Sequence, residues 1–389
     1  MNIFEEYLKK ISSLILKNKK SLELNNINNF KGVHVEIPPS SFNFDLSCNV
    51  CFILGKINNI NPKELAVKIK TLIIKNIKDF KNVEIAGPGF LNFKLSDDAL
   101  IRSINKILKD RINYGKKYSN NSFNIEFVSA NPTGPMHVGH CRGAIYGDVL
   151  ANLLMFNGNK VTKEYYINDY GNQIINFTKS VYLRIREIKY DEEFLKSKDL
   201  YPGEYIIEIG KKIIDANKNE EFKNFDKSFI LLKEESLKYS MELIKSDLKK
   251  LGIEHDNFFS ETELVEKKLV DKAVNQLKDD KYVLNGYLDA PKGEVDKDWK
   301  KTKRLIFKST LFGDDTDRAM QKNDGTWTYF ANDVAYHMDK VQRKYDYLIN
   351  VLGADHTGYI KRITAAVNAL SKNKVKLNCK VCQLVKLFK

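Results

Sequence analysis

The alternation of apolar and polar positions predicts strands and helices in turn, centred on one stretch. Asn124–Ala130, reading Asn-Ile-Glu-Phe-Val-Ser-Ala, has the alternating apolar and β-branched character of a buried strand. Asn131–Pro135 then places two prolines and a glycine in five residues, a run that no strand ladder continues. From Gly139 onward Ala144, Ile145, Val149, Leu150, Leu153 and Leu154 recur at helical spacing. The order is strand, tight turn, helix, with His137-Val-Gly-His140 at the helix start. Lys160–Ile167 reads as a second strand, and Asn168–Ile174 turns into another helix. Tyr347–Gly358 is a buried strand emptying into a polar turn, and Leu377–Phe388 reads as a further strand. Strand, helix, strand, helix at this spacing predicts an α/β fold with a doubly wound, Rossmann-like parallel sheet, binding its ligand at the strands' C-terminal ends.

The flanking pattern differs. Residues 1 to about 20 read as a helix, His34–Ile37 as a short strand, and Val83–Leu95 as strand, glycine turn, strand. Asn61–Lys70 reads as a helix with Asn61 as its N-cap and Pro62 at its first position. Together these predict a small α+β domain over residues 1–95. A helix from Asp97 to about Ile112 then forms a link spanning 96–118, ahead of the doubly wound domain over 119–389. From about 190 to 303 the chain becomes charged and helix-rich, with only short strand runs at Tyr282–Leu284 and Leu305–Phe307. That segment reads as an insertion between the two halves of the sheet, and charge runs such as Lys238–Lys250 fit solvated helix faces.

Composition narrows the picture a little. With 389 residues, 43% of them apolar, and no apolar run of membrane length, the chain reads as globular, without a membrane partner. Met1–Lys10 lacks the basic, apolar, small-residue order of a signal peptide, which points to the cytoplasm. A formal charge of +14 favours a polyanionic partner, although a chain rich in Lys, Asn and Ile can reach it through compositional bias alone. Two CxxC pairs, Cys48/Cys51 and Cys379/Cys382, lie at opposite ends of the chain. On a strand, positions i and i+3 face opposite sides, so buried reduced thiols fit Cys379 and Cys382 better than a structural zinc site.

The turn after Ala130 carries the candidate chemistry. A helix N-terminus offers unpaired N–H groups and partial positive charge, which suit a phosphate. Gly139 lets a flat base or ribose approach the backbone, and His137 and His140, three apart, share one face of the first turn. His-x-Gly-His alone is a weak signal. In its context, however, Ser129-Ala-Asn-Pro-Thr-Gly-Pro-Met-His-Val-Gly-His140 resembles the nucleotide-binding signature of class I aminoacyl-tRNA synthetases, in its bacterial arginyl-tRNA synthetase form. Asn61–Ala66, Ala86–Phe93, Tyr201–Ile207, Leu311–Arg318 and Asp324–His337 also resemble that family, so the likeness spans nearly the whole chain.

The resemblance implies ATP, accompanied by Mg²⁺, as a substrate held near Pro135, His137, Gly139, His140 and Gly353. It implies His137 and His140 as catalytic groups acting on the phosphates, and no metal site of the protein's own. It implies L-arginine at Glu126, Asn131, Tyr329, Asp333 and Asp355, with Asn131 and Asp355 at the α-amino end. It further implies tRNA(Arg) as a partner, touched by the N-terminal domain, and a monomeric enzyme. The residues themselves support parts of this. Glu126 points inward from its strand and needs a cation there, either a bound guanidinium or a structural partner such as Arg142 or a lysine. Tyr329 and Asp333, four apart, share one face of a helix beginning near Ala331. The implied reaction joins arginine to AMP with release of pyrophosphate, then passes the arginyl group to tRNA. In the family, a Lys-Met-Ser-Lys-type loop and a helical anticodon-binding domain follow the last strand, whereas this sequence ends at Lys389. A C-terminally truncated synthetase is therefore expected. A non-catalytic binder of tRNA or arginine, or another nucleotidyl transferase of the HxGH superfamily, are the alternatives.

Overall fold

A computed structural model describes residues 2–27, 30–194, 197–288 and 302–385. It divides into two compact units, Met1–Tyr118 and Ser119–Lys389.

In the first unit α1 (Ile3–Lys17) starts at Asn2, whose side chain accepts from the Glu5 N–H at 2.9 Å. Strands β1 (Val35–Glu36) and β2 (Leu46–Cys48) precede α2 (Val50–Asn58) and α3 (Pro62–Asn76). Asn61 caps α3 by accepting from the Lys63 N–H at 2.9 Å, and Pro62 opens the helix where no N–H partner is needed. Strands β3 (Phe80–Ala86) and β4 (Phe90–Leu95) complete an antiparallel sheet in the order β1-β2-β4-β3. Ile11, Ile15, Leu54, Ile69, Ile73 and Phe93 fill its core. Cys48 and Cys51 belong to that core, and burial pushes the Cys48 thiol up to about 12. The helix expected as a link, α4 (Asp97–Asp110), falls within this unit.

The second unit is built on five parallel strands. They are β5 (Ser122–Glu126), β6 (Lys160–Ile167), β7 (Asn257–Ser260), β11 (Tyr347–Gly353) and β12 (Lys376–Cys382), in the order β12-β11-β5-β6-β7. Helix α5 (Val138–Phe156) joins β5 to β6. Helices α6 (Asn172–Tyr190), α7 (Glu204–Ala216) and α8 (Phe225–Lys250) join β6 to β7. Beyond β7 come α9 (Glu261–Glu266), α10 (Leu269–Asp279) and a small antiparallel sheet of β8 (Val283–Gly286), β9 (Arg304–Phe307) and β10 (Arg318–Ala319). Helix α11 (Tyr329–Gln342) leads into β11, and α12 (Ile360–Ser371) links β11 to β12. Successive strand residues face opposite layers: Tyr165 packs with α5 and α8, while Tyr166 packs with α10, α11 and α12. The chain runs outward from β5 to β6 and in the other direction from β11 to β12. The loops leaving β5 and β11 therefore part at the switch point of the sheet, where α/β proteins bind ligands.

A buried carboxylate fastens this sheet. Glu164 on β6 accepts from the Arg343 guanidinium at 2.5 and 2.8 Å, Tyr336 Oη at 2.7 Å, Asn124 Nδ2 at 3.0 Å and Asn257 Nδ2 at 2.8 Å. One side chain thus ties together β5, β6, β7 and α11.

Three boundaries differ from the sequence pattern. Strand β5 ends at Glu126 rather than Ala130, because Val128 (φ 71°) and Ser129 (φ 43°) turn the chain through the left-handed region. Asn257–Ser260, inside the segment read as an insertion, is the edge strand β7, so α6–α8 form the crossover between two strands of the sheet. Strand β12 ends at Cys382, and positions 386–388 of the expected strand lie outside the described residues, as does 289–301 of the expected insertion.

Candidate active site

Two adjoining cavities open at the C-terminal ends of β5 and β11, of about 410 and 210 Å³. Val128, Ser129, Val351, Leu352, Gly353 and His356 line both. The larger falls within the range of about 300–1,000 Å³ common for small-molecule sites.

The larger cavity takes in the start of α5. His137, Gly139 and His140 line it together with Asn131, Gly353 and Asp355. The His137 and His140 rings stack with centroids 3.6 Å apart, and the His137 N–H donates to His140 Nδ1 at 3.3 Å. Burial, and then the charge His137 can carry, hold His140 below the usual imidazole value. His140 therefore presents neutral nitrogen to the cavity until an anion favours protonation. Gly139 makes room in an unforeseen way: a Cβ there would lie 3.0 Å from His137 Cε1, so the missing side chain is replaced by the histidine ring itself. Asn131 is exposed and accepts from Asn168 Nδ2 at 3.3 Å. Asp355 is exposed, pairs with His356 Nε2 at 3.3 Å, and folds its carboxylate back over Gly353, where any Cβ would collide with it. Pro135 is exposed and outside the lining.

The smaller cavity is lined by Glu126, Tyr166, Asp333, Tyr336, His337, Asn350 and Tyr359 beside the shared wall. Glu126 has its cation within the protein. The fully buried Lys340 donates to Glu126 Oε2 at 2.5 Å and to Asn350 Oδ1 at 3.3 Å, while Ser129 Oγ donates to Glu126 Oε1 at 3.3 Å. The structural partner is thus a lysine of α11, not Arg142, whose guanidinium donates to the Gln383 carbonyl. Asp333 differs. It accepts from Tyr359 Oη, and no lysine or arginine among the described residues forms an ion pair with it. Burial, with Glu126 and Glu261 adding repulsion, pushes its carboxyl up to about 7. His337 accepts from Asn350 Nδ2 at 3.0 Å and turns Nδ1 towards the Asp333 carbonyl at 2.8 Å. Burial holds it well below the usual value, at about 3, so it is a neutral part of the floor.

Tyr329 does not enter this cavity. Helix α11 begins at Tyr329, capped by Thr328, and Tyr329 is 81% exposed with Lys322 Nζ 5.7 Å from its ring centre. It shares the stripe of Asp333 but lies one turn short of the cavity, about 5.4 Å along the axis. Tyr336 and Tyr359 provide the aromatic surface instead. Sequence reasoning missed Tyr359, His337 and Lys340 as site residues. Of these only His337 and Lys340 carried any signal, at helical spacing from Asp333 and Tyr336.

Among the described residues no group of three or more His, Cys, Asp or Glu is placed to hold a metal ion, and no helix is long and apolar enough to cross a membrane.

Comparison with known proteins agrees along the whole length. Residues 3–95 match the family model described as arginyl tRNA synthetase N terminal domain. Residues 103–381 match the model of the class I (R) tRNA synthetase catalytic domain. An arginine–tRNA ligase of Pelagibacter ubique is 52% identical over 398 aligned positions, covering 100% of this chain and 68% of the relative. One from Rickettsia bellii is 45% identical, covering 90% of this chain and 61% of its own length. The chain thus spans about two thirds of the length of these relatives. The arginyl-tRNA synthetase structure of Thermus thermophilus superposes with a TM-score of 0.65 over 97% of this chain and 66% of that one, and at 17% identity it shows the shared fold alone.

Proposed function

This chain belongs to the arginyl-tRNA synthetase family of class I, and on that footing we propose that its second unit activates L-arginine with ATP, for transfer to tRNA(Arg) in the cytoplasm. The observation that carries the reading is Asp333: a half-buried, desolvated carboxylate with no lysine or arginine paired to it among the described residues, in a small pocket next to a histidine-lined nucleotide cavity. A guanidinium supplies the missing charge and donates in a plane, which a carboxylate accepts. Tyr359 orients Asp333, and Lys340 already satisfies Glu126, so the pocket is short of one positive charge.

In this reading the arginine α-amino end faces Asn131 and Asp355 across the shared wall, and its carboxylate reaches the larger cavity. There the carboxylate oxygen attacks the α-phosphorus of ATP, and the bond to the β-phosphate oxygen breaks with pyrophosphate leaving. His137, His140 and the free N–H groups of α5 stabilise charge growing on the phosphate oxygens. Mg²⁺ travels on the ATP phosphates and needs no cage of protein ligands. The adenylate then passes its arginyl group to the terminal ribose of the tRNA. Positioning and charge stabilisation carry these steps, with no covalent intermediate on the protein.

Calorimetric titration of the 389-residue chain with L-arginine and L-citrulline tests the pocket. Citrulline keeps the shape and lacks the charge. Arginine should bind at least about a hundredfold tighter, and Asp333→Asn should remove most of that preference, as expected for one member of a buried charge pair. Equal binding of the two amino acids by the unmodified chain would sink the reading.

A further inference from the structure

The loop between β5 and α5 carries Asn131 near one end and His137 at the other, and it lies outside any ladder or helix. Three side chains from elsewhere in the unit hold it. Tyr165 Oη donates to the Ala130 carbonyl at 2.7 Å, and Asn168 Nδ2 donates to Asn131 Oδ1 at 3.3 Å. Both come from β6 or the turn after it, beside β5 in the sheet. The third comes from further away. Tyr205, on α7 of the helical crossover, donates from Oη to the Thr133 carbonyl at 2.8 Å. Its ring also rests against Gly134, where a Cβ would come within 2.9 Å of the ring's Cζ and Oη.

Tyr205 is itself fixed. The turn that carries it, Tyr201-Pro-Gly-Glu-Tyr205, is pinned to α6: the Tyr201 N–H donates to Ser180 Oγ at 2.9 Å, and Arg184 donates to the Pro202 carbonyl at 3.3 Å. The Tyr201 ring meets Phe177 edge-on, with centroids 5.7 Å apart. Burial pushes the Tyr205 phenol up to about 12, so it stays a donor at any physiological pH.

We propose that Tyr205 is a positioning residue: through Thr133 and Gly134 it fixes the loop that presents Asn131 and His137, so the helical crossover sets the geometry of the nucleotide cavity. The effect on ATP rests on the reading of that cavity given above, while the clamp itself does not. Sequence spacing gives no hint of the pairing, since Tyr205 and Thr133 are 72 positions apart.

Two readouts on the 389-residue chain separate the parts: hydrogen exchange of backbone amides without ligand, and calorimetric titration with ATP. Tyr205→Phe keeps the ring and deletes the donor, and Gly134→Ala drives a methyl into the ring. Each should speed exchange in the 131–140 segment severalfold, leave α6 and β6 unchanged, and weaken ATP by about two- to tenfold, the range for one net hydrogen bond. In a Tyr205→Ala background, Gly134→Ala should cost nothing more, because the methyl then has room. Unchanged loop exchange in both single variants would overturn the proposal. So would acceleration spread evenly over α6, α7 and the sheet, which marks general support of the fold, or normal ATP affinity with a loosened loop. A loosened loop in a chain whose unmodified form binds no ATP would remove the nucleotide reading and leave the clamp standing.

Discussion

Asp333 shows how much one position can hold. Burial comes first, then repulsion from Glu126 and Glu261, against which the Tyr359 hydroxyl and the Lys340 charge act, and the balance lies at about 7, above the ordinary 3.8. Between those values the folded chain keeps a proton that the unfolded chain has lost, so stability falls as pH rises from about 4 to about 7 and stays lowered above. The Asp333→Asn variant should therefore melt several degrees above the unmodified chain at about pH 8, with the gap closing towards pH 4. Saturating L-arginine should narrow it at pH 8 by stabilising only the unmodified pocket. Scanning calorimetry across pH checks both, and a gap independent of pH would show that Asp333 is not held protonated. Asp333 was legible in the sequence through its place in a family-like segment. Its partner Tyr359, 26 positions on, and the Lys340 partner of Glu126, 214 positions away, were not, because only the tertiary fold brings them together.

At the scale of elements, α11 does the most. Asp333, Tyr336, His337 and Lys340 lie along it, Arg343 caps its C-terminal end, and all reach the pocket or the sheet beneath it. Burial opposes ionisation of Glu164, yet Arg343 and Lys340 override this and hold its carboxyl at about 2. A depressed value of this kind contributes stability that is present above about 4.5 and is lost as pH falls through about 2. Arg343→Met strands that carboxylate and should cost about 3–5 kcal/mol at neutral pH. The loss should shrink as acid protonates Glu164, and denaturant melts at pH 7 and pH 4 would measure it. A loss under about 1 kcal/mol at pH 7 would mean that Tyr336, Asn124 and Asn257 suffice without the guanidinium. Helix ends with plain chemistry, such as Asn61 and Pro62 at α3, were readable from sequence. The four residues of β7 were not, since Asn-Phe-Phe-Ser is too short to show a period among charged helices. Nor was the early end of β5, which depends on Val128 and Ser129 adopting a backbone region that sequence disfavours for them.

For the whole molecule, the doubly wound class followed from strand–helix alternation, but the order β12-β11-β5-β6-β7 needed the pairing itself. The charge of +14 is open to a direct test. If it serves tRNA, affinity measured by fluorescence anisotropy should drop about a hundredfold or more between about 50 and 200 mM salt, as for a protein neutralising four or more phosphates. A drop below about threefold would leave the lysines as a matter of composition. The shared wall of the two cavities bears on the order of events. Val128, Ser129, Val351, Leu352, Gly353 and His356 face both compartments, so a ligand in either one loads the partition from its side. Whatever factor arginine imposes on ATP affinity through that partition, ATP must impose on arginine. With the two cavities filled as proposed, the coupling runs both ways: whichever substrate tightens its neighbour's hold is held tighter in return, by the same factor.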